Sequence, residues 1–244
     1  MITGGSRGIG QATARAFASQ GANVCISYLQ NVEAAQATIE SLEGGPHLAI
    51  QADVQDPEAV RRLINTAAKE YGRLDVVVNN AGIFNPHPVD RINYQDWQTS
   101  WQQTLSVNLI GPANICYCAA QYMILQGSGR IVNVSSRGAF RGEPDQPAYG
   151  ASKAGLNALS QSLAQALATH NIFVGVVAPG FVETDMAKDI LASPAGDGIR
   201  QQSPLGRVAK PEEVAKAILF LASEGTEFMT GAILDVNGAS YLRS

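Results

Sequence analysis

Short apolar runs alternate with longer amphipathic stretches along this chain. The short runs are rich in Val, Ile and Leu, as buried strands are, whereas apolar residues in the longer stretches recur at helical spacing. The short runs lie at residues 24–29, 47–54, 74–82, 130–136, 172–179 and 230–238. Strands that alternate with helices form a parallel sheet with right-handed crossovers. We therefore predict one α/β domain over residues 1–244, with a doubly wound sheet of about seven strands and helices on both faces.

A glycine-rich turn stands at the start of the chain and leads into a helical pattern. Gly4, Gly8 and Gly10 follow Thr3 with the spacing T-G-x3-G-x-G. Glycines in such a turn let the backbone approach a pyrophosphate, whose charge is then held by the N-terminus of the helix. The turn predicts a Rossmann-type dinucleotide-binding fold, although glycine-rich turns also serve purely structural ends.

Only Met1 and Ile2 precede this turn. The strand that leads into it would lie in the middle of the sheet, buried on both faces, and two residues are too few to form it. We therefore expect a truncated first strand, and we expect that the natural chain begins several apolar residues earlier or that the given start is internal.

The end of the next apolar run bears on the choice of dinucleotide. An acidic side chain about 20 residues beyond the glycines would hold the ribose 2′-hydroxyl of NAD. Tyr28 and its neighbours occupy that stretch, and no acid occurs there before Glu33. Arg7, inside the glycine turn, is placed to bind a 2′-phosphate. The sequence therefore favours NADP(H) over NAD(H).

Tyr149 and Lys153 are four residues apart at the start of a helical pattern, so both side chains lie on one helical face. A tyrosine loses its proton near pH 10 in water and needs a stabilised phenolate to act near neutrality. A cation about 4 Å away, at an effective dielectric of about 20, is worth roughly 4 kcal/mol, or about three pKa units. Ser136 ends a predicted strand, so its hydroxyl would emerge where ligands bind in open α/β sheets. The Y-x-x-x-K spacing alone also fits an ordinary surface helix.

Residues 94–125 have a helical pattern despite Gly111 and Pro112. Asn108 lies inside this pattern, and a buried amide there needs hydrogen-bond partners. Trp97 and Trp101 are four apart, which favours an apolar stripe in the core or at a subunit contact.

Composition excludes several classes of function. The net charge of −4 is spread without long runs, so no basic stripe exists for nucleic acid or an anionic membrane. The three cysteines are interpreted as reduced core residues of a cytoplasmic protein, and the three histidines have no second ligand at metal spacing. The apolar stretches are too short to span a membrane, and no leader precedes the first glycines. We expect a cytoplasmic protein without a metal, a nucleic-acid partner or a membrane anchor.

Together these motifs resemble the short-chain dehydrogenase/reductase family over essentially the whole chain. The matching segments are TGGSRGIG, the Asp53–Val54 pair, NNAG, the Asn of SVNLIG, Ser136, YGASK, PGFVETDM and TGAILDVNG. The resemblance implies that Tyr149 donates a proton to a ketone whose carbonyl Ser136 holds. It also implies that Lys153 lowers the pKa of Tyr149 and binds the nicotinamide ribose, and that Asn108 completes a water-linked proton relay.

The same resemblance gives the expected dinucleotide contacts. They gather in the glycine turn and at the ends of the predicted strands, where small residues let a ribose and a nicotinamide lie against the backbone. The expected contacts are Gly4, Ser6, Arg7, Gly8, Ile9, Gly10, Tyr28, Asp53, Val54, Asn80, Ala81, Gly82, Tyr149, Lys153, Pro179, Gly180, Val182 and Thr184.

Within the family, the chain is most similar in appearance to bacterial beta-ketoacyl-acyl-carrier-protein reductases. This implies reduction of a 3-oxoacyl thioester by a homotetramer built on the two long helices, with a small ketone, sugar or polyol as the alternative substrate. Acyl carrier protein is strongly acidic, yet residues 119–129 contain no Lys or Arg, so its docking is doubtful. Arg137, Arg141 and Glu143 line the expected substrate loop and suit a small polar or acidic carbonyl substrate, unless the loop is simply solvated. Residues 185–206, rich in small residues, are predicted to form a mobile lid.

A second class of function is a non-catalytic NADP(H) sensor or scaffold that retains the fold. All four positions that the resemblance makes catalytic, Asn108, Ser136, Tyr149 and Lys153, are filled. This argues for an enzyme.

Overall fold

The computed structural model describes residues 1–243 of the chain, which form the predicted α/β arrangement. The regular strands in these residues are β1 Cys25–Tyr28, β2 Leu48–Gln51, β3 Val76–Asn79, β4 Gly129–Val134, β5 Ile172–Pro179 and β6 Ile233–Val236. The helices are α1 Gly8–Ala18, α2 Val32–Glu40, α3 Pro57–Tyr71, α4 Tyr94–Leu105, α5 Gly111–Gln126, α6 Gly138–Arg141, α7 Pro147–Leu167, α8 Asp185–Ala192, α9 Gly196–Gln201 and α10 Pro211–Leu221. A π-helical turn, Ser106–Ile110, joins α4 to α5, and short 3₁₀ helices cover Ala168–His170 and Glu227–Met229.

All strands pair in parallel, in the orders β2–β1 and β3–β4–β5–β6. The segment Met1–Thr3 lies between β1 and β3 and joins the two groups. Ile2 forms parallel bridges to Ile26 and Val78, its amide donates to the Cys25 carbonyl at 2.8 Å, and Thr3 N donates to the Val78 carbonyl at 3.0 Å. Within residues 1–243 the sheet therefore contains six regular strands and this bridging segment. The sequence predicted about seven strands, with a truncated first strand. The expectation of an earlier natural start stays a prediction.

Consecutive strand residues face opposite sides of the sheet, and both sides are buried. Val78 and Val132 belong to an apolar cluster with α1 and α10, whereas Val77 and Ile131 belong to a second cluster with α3, α5 and α7. This explains why the strands read as continuous apolar runs rather than as alternating ones.

Helix α3 shows how local sequence sets the bounds of an element. The Asp56 side chain accepts a hydrogen bond from Glu58 N, Pro57 occupies the first turn, and Gly72 ends the helix with a φ of 69°. Its buried residues recur at helical spacing: Val60, Leu63, Ile64, Ala67 and Ala68. The sequence predicted this helix from Pro57 to Tyr71, as observed.

The predicted helix 94–125 runs through α4, the π turn and α5 to Gln126. Gly111 is required at the end of the π turn, because a Cβ there would lie 2.7 Å from the Val54 carbonyl oxygen. Trp97 packs on Trp101 and on the buried His87 ring, with 5.7 Å between centroids in each pair. Trp97 therefore packs between Trp101 and the segment that follows β3.

Two other stretches differ in detail from the sequence-based expectation. Helix α7 begins at Pro147, two residues before Tyr149. The weakly periodic residues 185–206 contain the short helices α8 and α9, whose Leu191 and Ile199 are buried together beside Phe181. Within residues 1–243, none of the helices has both the length and the apolar character needed to cross a bilayer.

Candidate active site

The candidate catalytic residues gather at the carboxyl ends of the central strands. Asn80 follows β3, Ser136 lies two residues beyond β4, and Gly180 follows β5. Ligands of open α/β sheets bind at this edge, which is where the sequence predicted the site.

Ser136 is held in a loop fixed on both sides. The amides of Ser135 and Arg137 donate to the carbonyls of Val177 and Pro179 on the neighbouring strand, at 2.7 and 2.9 Å. The Ser136 hydroxyl accepts from Gly138 N at 3.0 Å, and Ser136 itself is buried. Backbone contacts therefore hold this oxygen, which also forms a hydrogen bond with the Tyr149 side chain.

Tyr149 and Lys153 face each other on α7. The Lys153 ammonium lies 5.7 Å from the centroid of the Tyr149 ring and donates to the Val134 carbonyl at 2.8 Å. Phe84 packs edge-on against the tyrosine, with 4.7 Å between ring centroids. The phenol and the amine thus share one pocket beside Ser136, as the four-residue spacing predicted.

The pKa values in this pocket differ from the expectation that Lys153 brings Tyr149 close to neutrality. Burial raises the pKa of Tyr149 to about 12; the hydrogen bond with Ser136 opposes this rise, and the charge of Glu143 adds to it. Burial also lowers the pKa of Lys153 to about 8. The phenol therefore stays protonated when only the side chains of the protein act on it. Removal of the phenol from water raises its pKa more than the Lys153 ammonium, 5.7 Å from the ring centroid, lowers it.

Asn108 occupies the π turn and is fully buried. Its Oδ1 accepts from Ile83 N, and its Nδ2 donates to the Ile83 carbonyl, both at 2.9 Å; Nδ2 also donates to the Ser152 hydroxyl at 3.3 Å. These bonds are the partners that a buried amide requires. A Cβ built at Gly82 would lie 3.2 Å from Asn108 Oδ1 and 3.6 Å from Lys153 Nζ, so only a glycine leaves this space open.

The glycine turn packs against the end of β3. Asn80 Nδ2 donates to the Thr3 and Gly4 carbonyls at 2.9 and 3.1 Å, and the Thr3 hydroxyl accepts from Asn80 N and Ala81 N at 3.0 Å. Gly4 has a φ of 62°, and a Cβ at Gly10 would lie 2.2 Å from the Gly4 carbonyl oxygen. The turn can therefore be built only with glycine at these two positions.

The chain offers a cradle for a dinucleotide at this turn. Helix α1 begins at Gly8 without a side-chain cap, so its first-turn N–H groups are left to an external acceptor such as a pyrophosphate. The small residues Ala81 and Gly82 follow at the next strand end, near Lys153. These features fit the phosphates and ribose of a nicotinamide dinucleotide.

The remaining expected dinucleotide contacts lie in or near the glycine turn, the start of α1 and the ends of β1, β2 and β5. Arg7 is exposed, and its Nη1 lies 3.7 Å from Asp185 Oδ2. Asp53 accepts from Gln55 N at 2.9 Å. A Cβ at Gly8 would lie 3.1 Å from Thr184 Cγ2, which places Thr184 beside the glycine turn. The others lie at or just beyond these strand and turn ends: Ser6, Ile9, Tyr28, Val54, Pro179, Gly180 and Val182.

One residue that holds the start of α7 in place, His87, is not predicted from the sequence. His87 N donates to the Asp145 carbonyl at 2.7 Å, and its Nε2 accepts from Ala148 N at 3.1 Å, directly before Tyr149. The only signal for His87 in the sequence was its place in a Pro-rich loop after NNAG. Arg137 is buried, with 3% of its surface exposed, which contradicts the alternative of a solvated loop at that position.

Comparison with known proteins agrees with this arrangement. A family model described as enoyl-(acyl carrier protein) reductase, from the short-chain dehydrogenase/reductase family, matches residues 4–239. The chain is 39% identical over 245 residues to a 3-oxoacyl-(acyl-carrier-protein) reductase of Synechocystis, covering 99% of this chain and 96% of that protein. It is 39% identical over 242 residues to the enzyme of the same name from Thermotoga maritima, covering 98% and 95%.

A solved structure of a dehydrogenase/reductase from Sinorhizobium meliloti superposes with a TM-score of 0.90 at 33% identity, over 99% of this chain and 94% of the other. The chain therefore belongs to the short-chain dehydrogenase/reductase family and is a nicotinamide-dependent oxidoreductase of carbonyl and hydroxyl groups.

Proposed function

We propose that this enzyme is an NADP(H)-dependent reductase of 3-oxoacyl thioesters. The observation that carries the proposal is the pocket in which Ser136, Tyr149 and Lys153 meet at the carboxyl ends of β3 to β5. Near full-length similarity to proteins named 3-oxoacyl-(acyl-carrier-protein) reductase supports the choice of substrate.

The protein supplies acid catalysis and charge stabilisation. A bound nicotinamide supplies hydride to the carbonyl carbon. The hydroxyls of Ser136 and Tyr149 donate hydrogen bonds to the carbonyl oxygen and stabilise the negative charge that develops there. Tyr149, whose pKa of about 12 keeps it protonated, then gives its proton to that oxygen.

Lys153 and Asn108 support this transfer. The Lys153 ammonium lies on the same side of the pocket as the Tyr149 ring, so its charge favours the phenolate that forms when the proton leaves. Asn108 fixes the Ile83 backbone through two hydrogen bonds and so keeps Gly82 beside Lys153. A proton relay through Asn108 is part of this proposal.

The charges near Arg7 and Tyr28, where the adenosine ribose of the dinucleotide would bind, favour NADP(H). Arg7 is about as exposed as its partner Asp185, and their ion pair spans 3.7 Å. Such surface pairs contribute only about 0–1 kcal/mol, so a 2′-phosphate displaces Asp185 at little cost. No acid between Tyr28 and Glu33 would repel that phosphate.

The proposal includes a lid and an assembly. Residues 185–206 close over the substrate, with the contact between α8 and α9 moving as a unit. The homotetramer is built on the long helices, which is supported by the exposed Tyr117 and Leu125 on α5.

An acyl chain on a small thioester is the preferred form of substrate, because the end of α5 carries no cation for an acidic carrier protein.

The test is a substrate panel assayed with NADPH and NADH side by side. It contains acetoacetyl thioesters, a 2-enoyl thioester, sugars and steroids. We expect the acetoacetyl thioester with NADPH to give the highest kcat/KM. Arg7→Leu should reduce the preference for NADPH by about tenfold. The control Arg61→Leu, at an exposed position of α3, should leave this preference unchanged. Faster turnover of a sugar or of the enoyl thioester, or a preference for NADH, would contradict the proposal.

A further inference from the structure

The loop between Ser136 and Tyr149 carries two guanidinium groups that share one neutral acceptor. Arg137 Nη2 donates to Gln202 Oε1 at 2.5 Å, and Arg141 Nη1 approaches the same oxygen at 3.4 Å. Arg137 Nη1 donates to the Ser240 hydroxyl at 2.6 Å. Within residues 1–243, neither arginine forms an ion pair with a carboxylate.

This arrangement leaves positive charge without full compensation. Burial lowers the pKa of Arg137, and the like charge of Arg141 adds to that effect. Glu143 is the opposing charge nearest in the loop, and burial raises its own pKa. The other acid of the loop, Asp145, is paired with Arg91 at 3.1 Å. Two cations therefore face one partly buried carboxyl group and one amide oxygen.

A cavity of about 140 Å³ borders Arg137 beneath the proposed lid. Its walls include Phe181 and Leu205, together with the carboxylates of Glu213 and Asp235. Both carboxylates have their own cation: Glu213 is held by Arg207 and Asp235 by Arg243, each at 2.7 Å. Arg137 is thus the cation of this cavity that forms no ion pair with a carboxylate within residues 1–243.

A carboxylate is the chemical complement of this pair of guanidiniums. It offers two charged oxygens in the plane of an arginine fork, whereas the Gln202 amide offers one neutral oxygen. Charge-assisted hydrogen bonds are about twice as strong as neutral ones, so an anion of the substrate displaces the glutamine oxygen favourably.

We propose that Arg137, assisted by Arg141, binds a carboxylate carried by the carbonyl substrate in place of the Gln202 amide. Resting on the proposed reductase function, this makes the enzyme selective for oxo acids and for oxoacyl thioesters whose chain ends in an acid. Arg137 directly follows Ser136, so the same loop holds the reacting carbonyl and the distal anion.

The test compares a matched pair of ketones, levulinate and methyl levulinate, by kcat/KM with NADPH. We expect wild type to favour the acid by about tenfold or more, and Arg137→Met to bring the ratio close to one. Arg141→Met lowers the ratio by a smaller factor, because that side chain is exposed. The remote Arg61→Met leaves it unchanged. Equal rates for the two ketones in wild type, or an unchanged ratio in Arg137→Met, would overturn the proposal.

Gln202→Glu provides a second variant that keeps both arginines. It places a carboxylate of the protein on the two guanidiniums, so it competes with the substrate's anion and lowers the preference for the acid. An undiminished preference contradicts the proposal even if Arg137→Met fails to fold.

Calorimetry separates this proposal from the proposed function. If no ketone or thioester is reduced with either nucleotide, the reductase function fails. Binding of levulinate and methyl levulinate to wild type then still decides the carboxylate site: tighter binding of the acid supports it, and equal binding overturns it.

Discussion

Replacement of Lys153 by methionine should stabilise the folded protein at neutral pH while it removes activity. Lys153 is 4% exposed, and burial lowers its pKa from 10.5 to about 8. This lowering corresponds to about 3 kcal/mol of unfavourable burial of the ammonium. Loss of its hydrogen bond to the Val134 carbonyl offsets about 1–2 kcal/mol of this. The net expected gain in the free energy of unfolding for Lys153→Met is therefore about 1–2 kcal/mol.

The stability that Lys153→Met gains over wild type should depend on pH within a defined range. Between about pH 8 and pH 10.5 the unfolded chain binds more protons at Lys153 than the native protein does, so wild-type stability rises with pH there. Above this window the amine is neutral in both states, and the advantage of Lys153→Met disappears. Tyr149 is present in both proteins, so the burial of its phenol contributes to the stability of each and cancels in the difference.

Urea denaturation of wild type and Lys153→Met at about pH 6.5 and about pH 10.5 measures the difference in their free energies of unfolding. Lys69→Met, at an exposed position of α3, serves as the control and should change stability little at either pH. A Lys153→Met protein that is less stable than wild type at the lower pH, or a difference in stability that is the same at both pH values, would show that the buried ammonium does not destabilise the fold.

Three further outcomes follow from the site. Asn108→Ala leaves Ile83 N and its carbonyl without their partners and should cost about 2–5 kcal/mol in denaturant unfolding; a loss below about 1 kcal/mol would contradict this. Gly10→Ala places a Cβ 2.2 Å from a carbonyl oxygen and should abolish nucleotide binding in calorimetry. The control Gly21→Ala, with open space around it, should lower the free energy of unfolding by only about 1 kcal/mol. Normal nucleotide binding by Gly10→Ala would contradict the turn geometry. The kcat/KM of ketone reduction should fall above about pH 8 as Lys153 loses its charge; a flat profile from about pH 6 to about pH 10 would contradict that role.

Local signals in the sequence predicted much of the fold and of the site. The bounds of α3 depend on Asp56, Pro57 and Gly72, which act within one turn of the helix. The shared face of Tyr149 and Lys153 depends only on helical geometry. Such features can be predicted because neighbouring residues determine them.

Other features depend on contacts between distant segments. The π turn that carries Asn108 ends where Gly111 meets the Val54 carbonyl, a contact between residues far apart in the chain. The pKa of Tyr149 rises because the folded chain removes it from water, which four-residue spacing does not reveal. The burial of Arg137 requires Gln202 and Ser240 from distant segments. A pattern read along one segment cannot supply these partners.

In the proposed mechanism the Tyr149 phenol delivers the proton that completes carbonyl reduction. Single-turnover reduction of an acetoacetyl thioester by NADPH-bound Tyr149→Phe tests it directly, with nucleotide affinity measured in parallel. We expect a rate at least about 100-fold below wild type, with nucleotide affinity nearly unchanged. A rate within about tenfold of wild type would show that another group donates the proton.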